Sequence, residues 1–248
     1  MEDEIYEVDD FEYSINTDEN GNEYLIVKEY DGNAAKLTIP STVTIDGKDY
    51  PVTEIGEGTF FGCKSLESVT IPNSVTEIGY GAFLGCKSLK SVTIPNSVTE
   101  IGYGAFGGCK SLTTVTIPES VTKIGEKAFK SCTSLESVTI PDSVTEIGDC
   151  AFEGCEHLTS IRLPKSWESK GKEALEAIGL DPSNPNLKIT YSDQEQAQDQ
   201  GQEKAPTVAD LARASTPPAT PHVTAEDILN ALKNAGTPSN GQSFKRSK

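Results

Sequence analysis

IPNSVTEIGYGAFLGCKSLKSVT (71–93) is followed directly by IPNSVTEIGYGAFGGCKSLTTVT (94–116), and the register continues as IPESVTKIGEKAFKSCTSLESVT (117–139) and IPDSVTEIGDCAFEGCEHLTSIR (140–162). One unit of 23 residues thus recurs with neither gap nor insertion. Self-similarity at that period predicts a solenoid, in which each repeat position becomes a ladder of like side chains along the stack.

The ladders can be written out. Leu66, Leu89, Leu112, Leu135 and Leu158 open each unit; Val69, Val92, Val115, Val138 and Ile161 follow, and two positions on come Ile71, Ile94, Ile117, Ile140 and Leu163. A spacing of two puts both apolar side chains on one face of a short strand, and a proline after each unit ends that strand (Pro72, Pro95, Pro118, Pro141, Pro164). The second half of each unit has its own apolar ladders, Val52 to Val144 and Ile55 to Ile147. The glycine after each isoleucine (Gly56, Gly79, Gly102, Gly125, Gly148) marks a turn that needs either positive φ or close backbone approach. A single helical turn is expected next, burying the Ala-Phe pairs as a phenylalanine spine from Phe60 to Phe152.

The succession leucine, branched residue, isoleucine-proline, valine, isoleucine-glycine, alanine-phenylalanine, cysteine, leucine resembles the BspA-like class of leucine-rich repeats over roughly residues 37–164. The fold class expected is therefore a repeat solenoid with a parallel β-sheet face, short strands and single helical turns on the other side, and a cap at each end. Strand rungs are expected at Ile39, Ile71, Ile94, Ile117, Ile140 and Leu163, with a hairpin insertion at 41–52 turning at Asp46-Gly47. Residues 1–36 read as an acidic β-hairpin cap: Phe11, Tyr13 and Ile15 alternate, Asn20-Gly21 turns, and Tyr24–Val27 returns. Residues 165–191 read as a helix-strand cap, with Trp167, the pattern Ala174, Leu175, Ala177, Ile178 stopped by Gly179, and a last strand at Leu187–Tyr191. The Trp, helix and strand ending is also what the family resemblance implies.

From Ser192 the composition turns to Gln, Ala, Pro, Thr and Ser, which predicts a disordered tail over 192–248. One segment stands apart within it. Thr224 and Asp227 resemble a capping box ahead of Ile228, Leu229 and Leu232, so 225–235 is a candidate partner-binding helix.

The net charge of −17 is unevenly spread: −11 in residues 1–32, −5 in 33–191 and −1 in the tail. That balance excludes nucleic acid as the main partner, and no apolar run is long enough to span a bilayer. The acidic start MEDEIYEVDD is not a Sec-type signal. The expectation is a cytoplasmic chain or one exported by a non-Sec route, at the cell surface if a signal precedes it.

Chemistry-bearing residues are few. Cys63, Cys86, Cys109, Cys132 and Cys155 share one repeat position; side chains in one column point the same way, so they read as buried free thiols acting as small hydrophobes, whereas Cys150 reads as exposed. Cys150, Cys155 and His157 lack the second ligand pair that a zinc site needs. The two histidines, His157 and His222, join no nucleophile arrangement, and the acidic ladder Glu54, Glu77, Glu100, Glu146 reads as a solvated face. No catalytic residue, metal or cofactor is expected.

What remains is the strand face that looks away from the core. Its ladders are Ser68, Ser91, Thr114, Ser137 and Ser160, then Thr70, Thr93, Thr116, Thr139 and Arg162, flanked by Glu67, Lys90, Thr113, Glu136 and Thr159. Solenoids bind along such faces, and small β-formers also simply suit exposed strand positions. The reading that follows is a non-enzymatic, monomeric scaffold that binds a protein through this face; the family resemblance implies adhesion or host contact. The alternative is an exported effector whose tail carries activity or address.

Overall fold

A computed structural model describes residues 4–192. The candidate helix with Ile228, Leu229 and Leu232 lies outside the described residues.

Two sheets run along the stack. The first contains β1 (Ile5–Val8), β2 (Phe11–Thr17), β3 (Glu23–Tyr30), β5 (Thr42–Ile45), β6 (Lys48–Ile55), β8 (Glu77–Ile78), β10 (Glu100–Ile101), β12 (Lys123–Ile124) and β14 (Glu146–Ile147). The second is the expected parallel face: β4 (Lys36–Thr38), β7 (Ser68–Thr70), β9 (Ser91–Thr93), β11 (Thr114–Thr116), β13 (Ser137–Thr139), β15 (Ser160–Leu163) and β16 (Lys188–Tyr191), neighbouring in that order. Its register is the repeat register: Ser68 pairs with Ser91, Ser91 with Thr114, and Ser137 with Ser160. The valines and isoleucines of the repeat strands in both sheets point inward and are buried.

The first sheet is a correction in detail. The residues around Val75 and Ile78 read as apolar ladders without strand character, yet each Glu-Ile pair forms a two-residue parallel strand. Where a helical turn was expected, the chain makes consecutive reverse turns, with Ala82 N–H donating to Gly79 O, Leu84 to Gly81 and Cys86 to Phe83. These turns also bond across repeats: Gly81 N–H donates to Tyr103 O, Phe83 to Ala105 and Gly85 to Gly107. Alternate N–H groups are therefore spent on the next repeat, and the i→i−4 bonds of a helix do not form.

The glycine after each isoleucine resolves as close approach, not positive φ. A Cβ on Gly102 would sit 2.7 Å from the Gly79 carbonyl carbon, and one on Gly125 2.7 Å from that of Gly102. Positive φ falls two residues later, at Gly58, Gly81, Gly104, Lys127 and Cys150, the last two of which carry the strain with side chains.

Phe60, Phe83, Phe106, Phe129 and Phe152 are stacked parallel at 4.8, 5.2, 5.5 and 5.6 Å between ring centroids. The amino-terminal cap prolongs that spine with Tyr30, 5.5 Å from Phe60, and Phe11, 4.9 Å from Tyr30. β2 and β3 form the antiparallel hairpin, β1 adds a third strand, and β3 then pairs in parallel with β6. Asp46 (φ 51) and Gly47 (φ 80) make the tight turn between β5 and β6.

At the other end, a 3-10 segment (Lys165–Lys170) buries Trp167, and α1 (Gly171–Ala177) follows. The carbonyls of Ala177 and Ile178 accept the N–H groups of Cys150 and Phe152, so the cap completes the turn ladder of the last repeat. β16 completes the sheet. Both exposed ends of the stack are thereby supplied with backbone partners and apolar cover.

Candidate functional site

The outward side chains of the seven-stranded sheet fall into two straight ladders. One runs Lys36, Ser68, Ser91, Thr114, Ser137, Ser160, Lys188; the other runs Thr38, Thr70, Thr93, Thr116, Thr139, Arg162, Thr190. The structure thus brings ten of the sequence-predicted residues onto one face. Ser68, Ser160 and Arg162 are half-buried and the others exposed. Neither ladder contains a carboxylate. In a chain of net charge −17, this strip holds only hydroxyls and the cations of Lys36, Arg162 and Lys188.

Glu67, Lys90, Thr113, Glu136 and Thr159 lie one residue earlier and continue the ladder, each N–H donating to the carbonyl of the preceding repeat, from Lys90 onward. Lys90 Nζ lies 2.8 Å from Glu67, and its ammonium holds the Glu67 carboxyl below the usual carboxylate range. The Thr113 and Thr159 hydroxyls donate to the carbonyls of Lys90 and Glu136, at 3.3 and 3.2 Å. At the later repeats this edge opens into a depression of about 440 Å³ lined by Thr113, Ser134, Glu136, His157 and Thr159. His157 Nδ1 lies 2.6 Å from the Thr133 carbonyl, which orients the ring.

Sequence reasoning missed Lys36, Thr38, Lys188 and Thr190 as members of the face, and Ser134 and His157 as neighbours of it. The signal for the first four was available. Lys36-Leu37-Thr38 and Lys188-Ile189-Thr190 repeat the alternation of the central strands, the first within the segment read as a rung and the second within the last strand of the cap.

The cysteine column is free thiols, and it does more than fill space. Cys86, Cys109, Cys132 and Cys155 each donate from Sγ to a phenylalanine carbonyl of the preceding repeat, at 3.0 to 3.3 Å. Burial pushes the Cys86 and Cys155 thiols up to about 12 and Cys109 and Cys132 upward as well, which keeps them protonated donors. Cys63 and Cys155 are only partly buried, since each lies near an end of the column. Cys150, expected to be exposed, is half-buried beside Glu153. Among the described residues no group of three or more His, Cys, Asp and Glu side chains is placed to hold a metal ion.

On the other sheet, Glu54, Glu77, Glu100, Lys123 and Glu146 stand in register, with Lys123 3.4 Å from Glu100 and 3.9 Å from Glu146. Glu54 is half-buried, and desolvation, followed by the Glu77 charge, raises its carboxyl pKa. Among the described residues no helix is long and apolar enough to cross a membrane.

Comparison with known proteins agrees with this architecture. The BspA type leucine rich repeat region matches residues 52–181 in six copies. A leucine rich repeat protein of T. pallidum is similar at 38% identity and a TM-score of 0.56, over 61% of this chain and 68% of that one. A leucine-rich repeat protein from Bacteroides ovatus is similar at 33% identity and a TM-score of 0.54, over 64% of this chain and 47% of its own. No curated protein matches. With its ladders, caps and repeat register in place, the chain belongs to the BspA-type leucine-rich repeat family.

Proposed function

We propose that the chain is a non-enzymatic scaffold that binds an extended, acidic or hydroxyl-rich protein segment along the outward face of the seven-stranded sheet. Leucine-rich repeat proteins are in general protein-interaction scaffolds, and that coarser role comes with the family. The observation that carries the finer reading is the composition of the two ladders. Hydroxyls repeated on every rung offer closely spaced donors and acceptors along the face, and cations at Lys36, Arg162 and Lys188 are complementary to carboxylates. The site residues are then Ser68, Thr70, Ser91, Thr93, Thr114, Thr116, Ser137, Thr139 and Arg162, with Glu67, Lys90, Thr113, Glu136 and Thr159 along one rim. Lacking aromatic anchors, such a face suits a partner held by many polar contacts and steered by charge. Where the family resemblance implies adhesion or host contact, this face is the surface that would serve it.

Photo-cross-linking in cells of the source organism tests the reading. A benzophenone amino acid at Thr116 is expected to capture a discrete partner that the same group at Thr99, on the other sheet, does not. Equal capture from both positions, or none from Thr116, overturns it.

A further inference from the structure

The turns that join the two sheets present a third surface, and there the repeats differ most. One ladder runs Glu57, Tyr80, Tyr103, Glu126, Asp149, and the next Phe61, Leu84, Gly107, Lys130, Glu153. These ladders hold two of the three large apolar side chains exposed among the described residues, Phe61 at 69% and Tyr80 at 50%. Tyr80 and Tyr103 stack at 4.8 Å, and Lys127 Nζ lies 2.7 Å from the hydroxyl of the latter and 5.0 Å from its ring centroid. Beside the tyrosines lies a groove of about 410 Å³, walled by Leu84 and floored by the backbone of Gly104 and Gly107. It exists because both floor positions lack side chains.

The pattern is self-complementary. Phe61 and Gly107 stand one repeat to either side of Leu84 at the same repeat position. A twofold axis lying in the contact plane, across the stack and through Leu84, returns each ladder onto itself in reverse order. Under that operation Phe61 of one copy faces Gly107 of the other, the bulkiest residue of the ladder against the smallest. Leu84 meets Leu84, and Tyr80 meets Tyr80. Glu57 comes opposite Tyr103, where the Lys127 ammonium awaits a second carboxylate besides Glu126. The neighbouring ladder Lys64, Lys87, Lys110 would meet its own kind, which sets the outer limit of the contact and keeps it small.

We propose that this turn face docks a second copy of the chain about that twofold axis, with Phe61 of each copy seated in the Gly104–Gly107 groove of the other. The dimer replaces the monomer expected from the sequence. It uses none of the outward residues of the seven-stranded sheet, so two binding faces would be joined in one particle. An interface this small sits at the weak end of specific association, with dissociation in the micromolar range or above.

Sedimentation of the full chain from about 1 to about 500 µM spans that range. The expected result is a reversible monomer–dimer equilibrium, weakened at least about tenfold by Phe61→Ser, which removes the knob, and by Gly107→Lys, which fills the hole. Both sites tolerate change: Phe61 is exposed, and at Gly107, where Lys130 is the equivalent residue one repeat on, a Cβ comes closest to the tip of the Leu84 side chain, 2.9 Å away, which a change of leucine rotamer relieves. Circular dichroism should match wild type. In a Cys150→Ser background, Leu84→Cys should give a covalent dimer on mild oxidation, and Thr99→Cys should not. A monomer at every concentration, dimerisation unmoved by both substitutions, or equal cross-linking at positions 84 and 99 would overturn the proposal. A dimer seen by sedimentation but not captured through Leu84→Cys would overturn the twofold geometry.

Discussion

The sheet face and the turn face are built by the same repeats, yet one is nearly uniform and the other carries the largest changes from rung to rung. On the sheet, hydroxyl follows hydroxyl from Ser68 to Ser160 and from Thr70 to Thr139. Along the turns, Phe61, Leu84, Gly107, Lys130 and Glu153 succeed one another at a single position. The interior explains the contrast. Strand positions are fixed from within by the buried valine and isoleucine ladders and need small β-formers outside, whereas the turn side chains lie outside the buried ladders and are free to differ. Uniformity is therefore the mark of architecture, and a rigid uniform strip offers like contacts along its length, whereas variation makes each rung of the turn face distinct.

The largest test strikes the interior that both faces share. Phe106, fully buried between Phe83 and Phe129, should cost about 3–5 kcal/mol when replaced by alanine, read by chemical denaturation. A second test separates two kinds of glycine on the turn side. Gly102→Ala forces a Cβ to within 2.7 Å of Gly79 backbone and should cost about 2 kcal/mol or more, whereas Gly104→Ala, with open space around its Cβ and only positive φ to resist it, should cost about 1 kcal/mol. Equal losses would mean that backbone approach does not set the repeat spacing.

Thiol labelling sharpens the same contrast without an energy scale. Cys150, on the turn face, should alkylate first in the native state, Cys63 and Cys155 more slowly, and Cys86, Cys109 and Cys132 only on unfolding. The hydrogen bond to Glu153 raises the Cys150 thiol pKa, so its labelling should accelerate as pH rises. Mass mapping after timed alkylation reads both.

The smallest effect belongs to Glu54. Its folded pKa is raised, so the native state binds the proton more tightly than the unfolded chain, and the stability this contributes at low pH is lost as pH rises through the folded value. Glu54→Gln should therefore stabilise the protein at neutral pH, by less than about 1 kcal/mol for a half-exposed group, with the gain shrinking towards about pH 4. Thermal melts across that range check the sign.

Much of this was legible in the chain. The Leu66, Val69 and Ile71 ladders, the phenylalanine spine, the Asp46-Gly47 hairpin and both caps follow from spacing and turn chemistry, because each signal repeats or is local. The first sheet was not, since a two-residue strand such as Glu77–Ile78 is too short to show alternation. Nor could the glycine after each isoleucine be assigned, because positive φ and close approach select the same residue, and only the stacked neighbour distinguishes them. The thiol-to-carbonyl bonds depend on the offset between Cys86 and the Phe60 carbonyl one rung back, which no single-repeat pattern reveals. Of the outward sheet face proposed for binding, the central ladder positions follow from the alternation, and Lys36 and Lys188 join it through strand pairing.

The most direct measurement is the affinity of the cross-linked partner for two variants of matched charge: Thr93→Glu/Thr116→Glu/Arg162→Glu on the seven-stranded sheet, and Thr76→Glu/Thr99→Glu/Lys123→Glu on the other. The first set should weaken binding at least about tenfold while the second leaves it within about twofold, at unchanged circular dichroism. Equal affinities for the two variants would contradict the assignment of binding to the hydroxyl ladders.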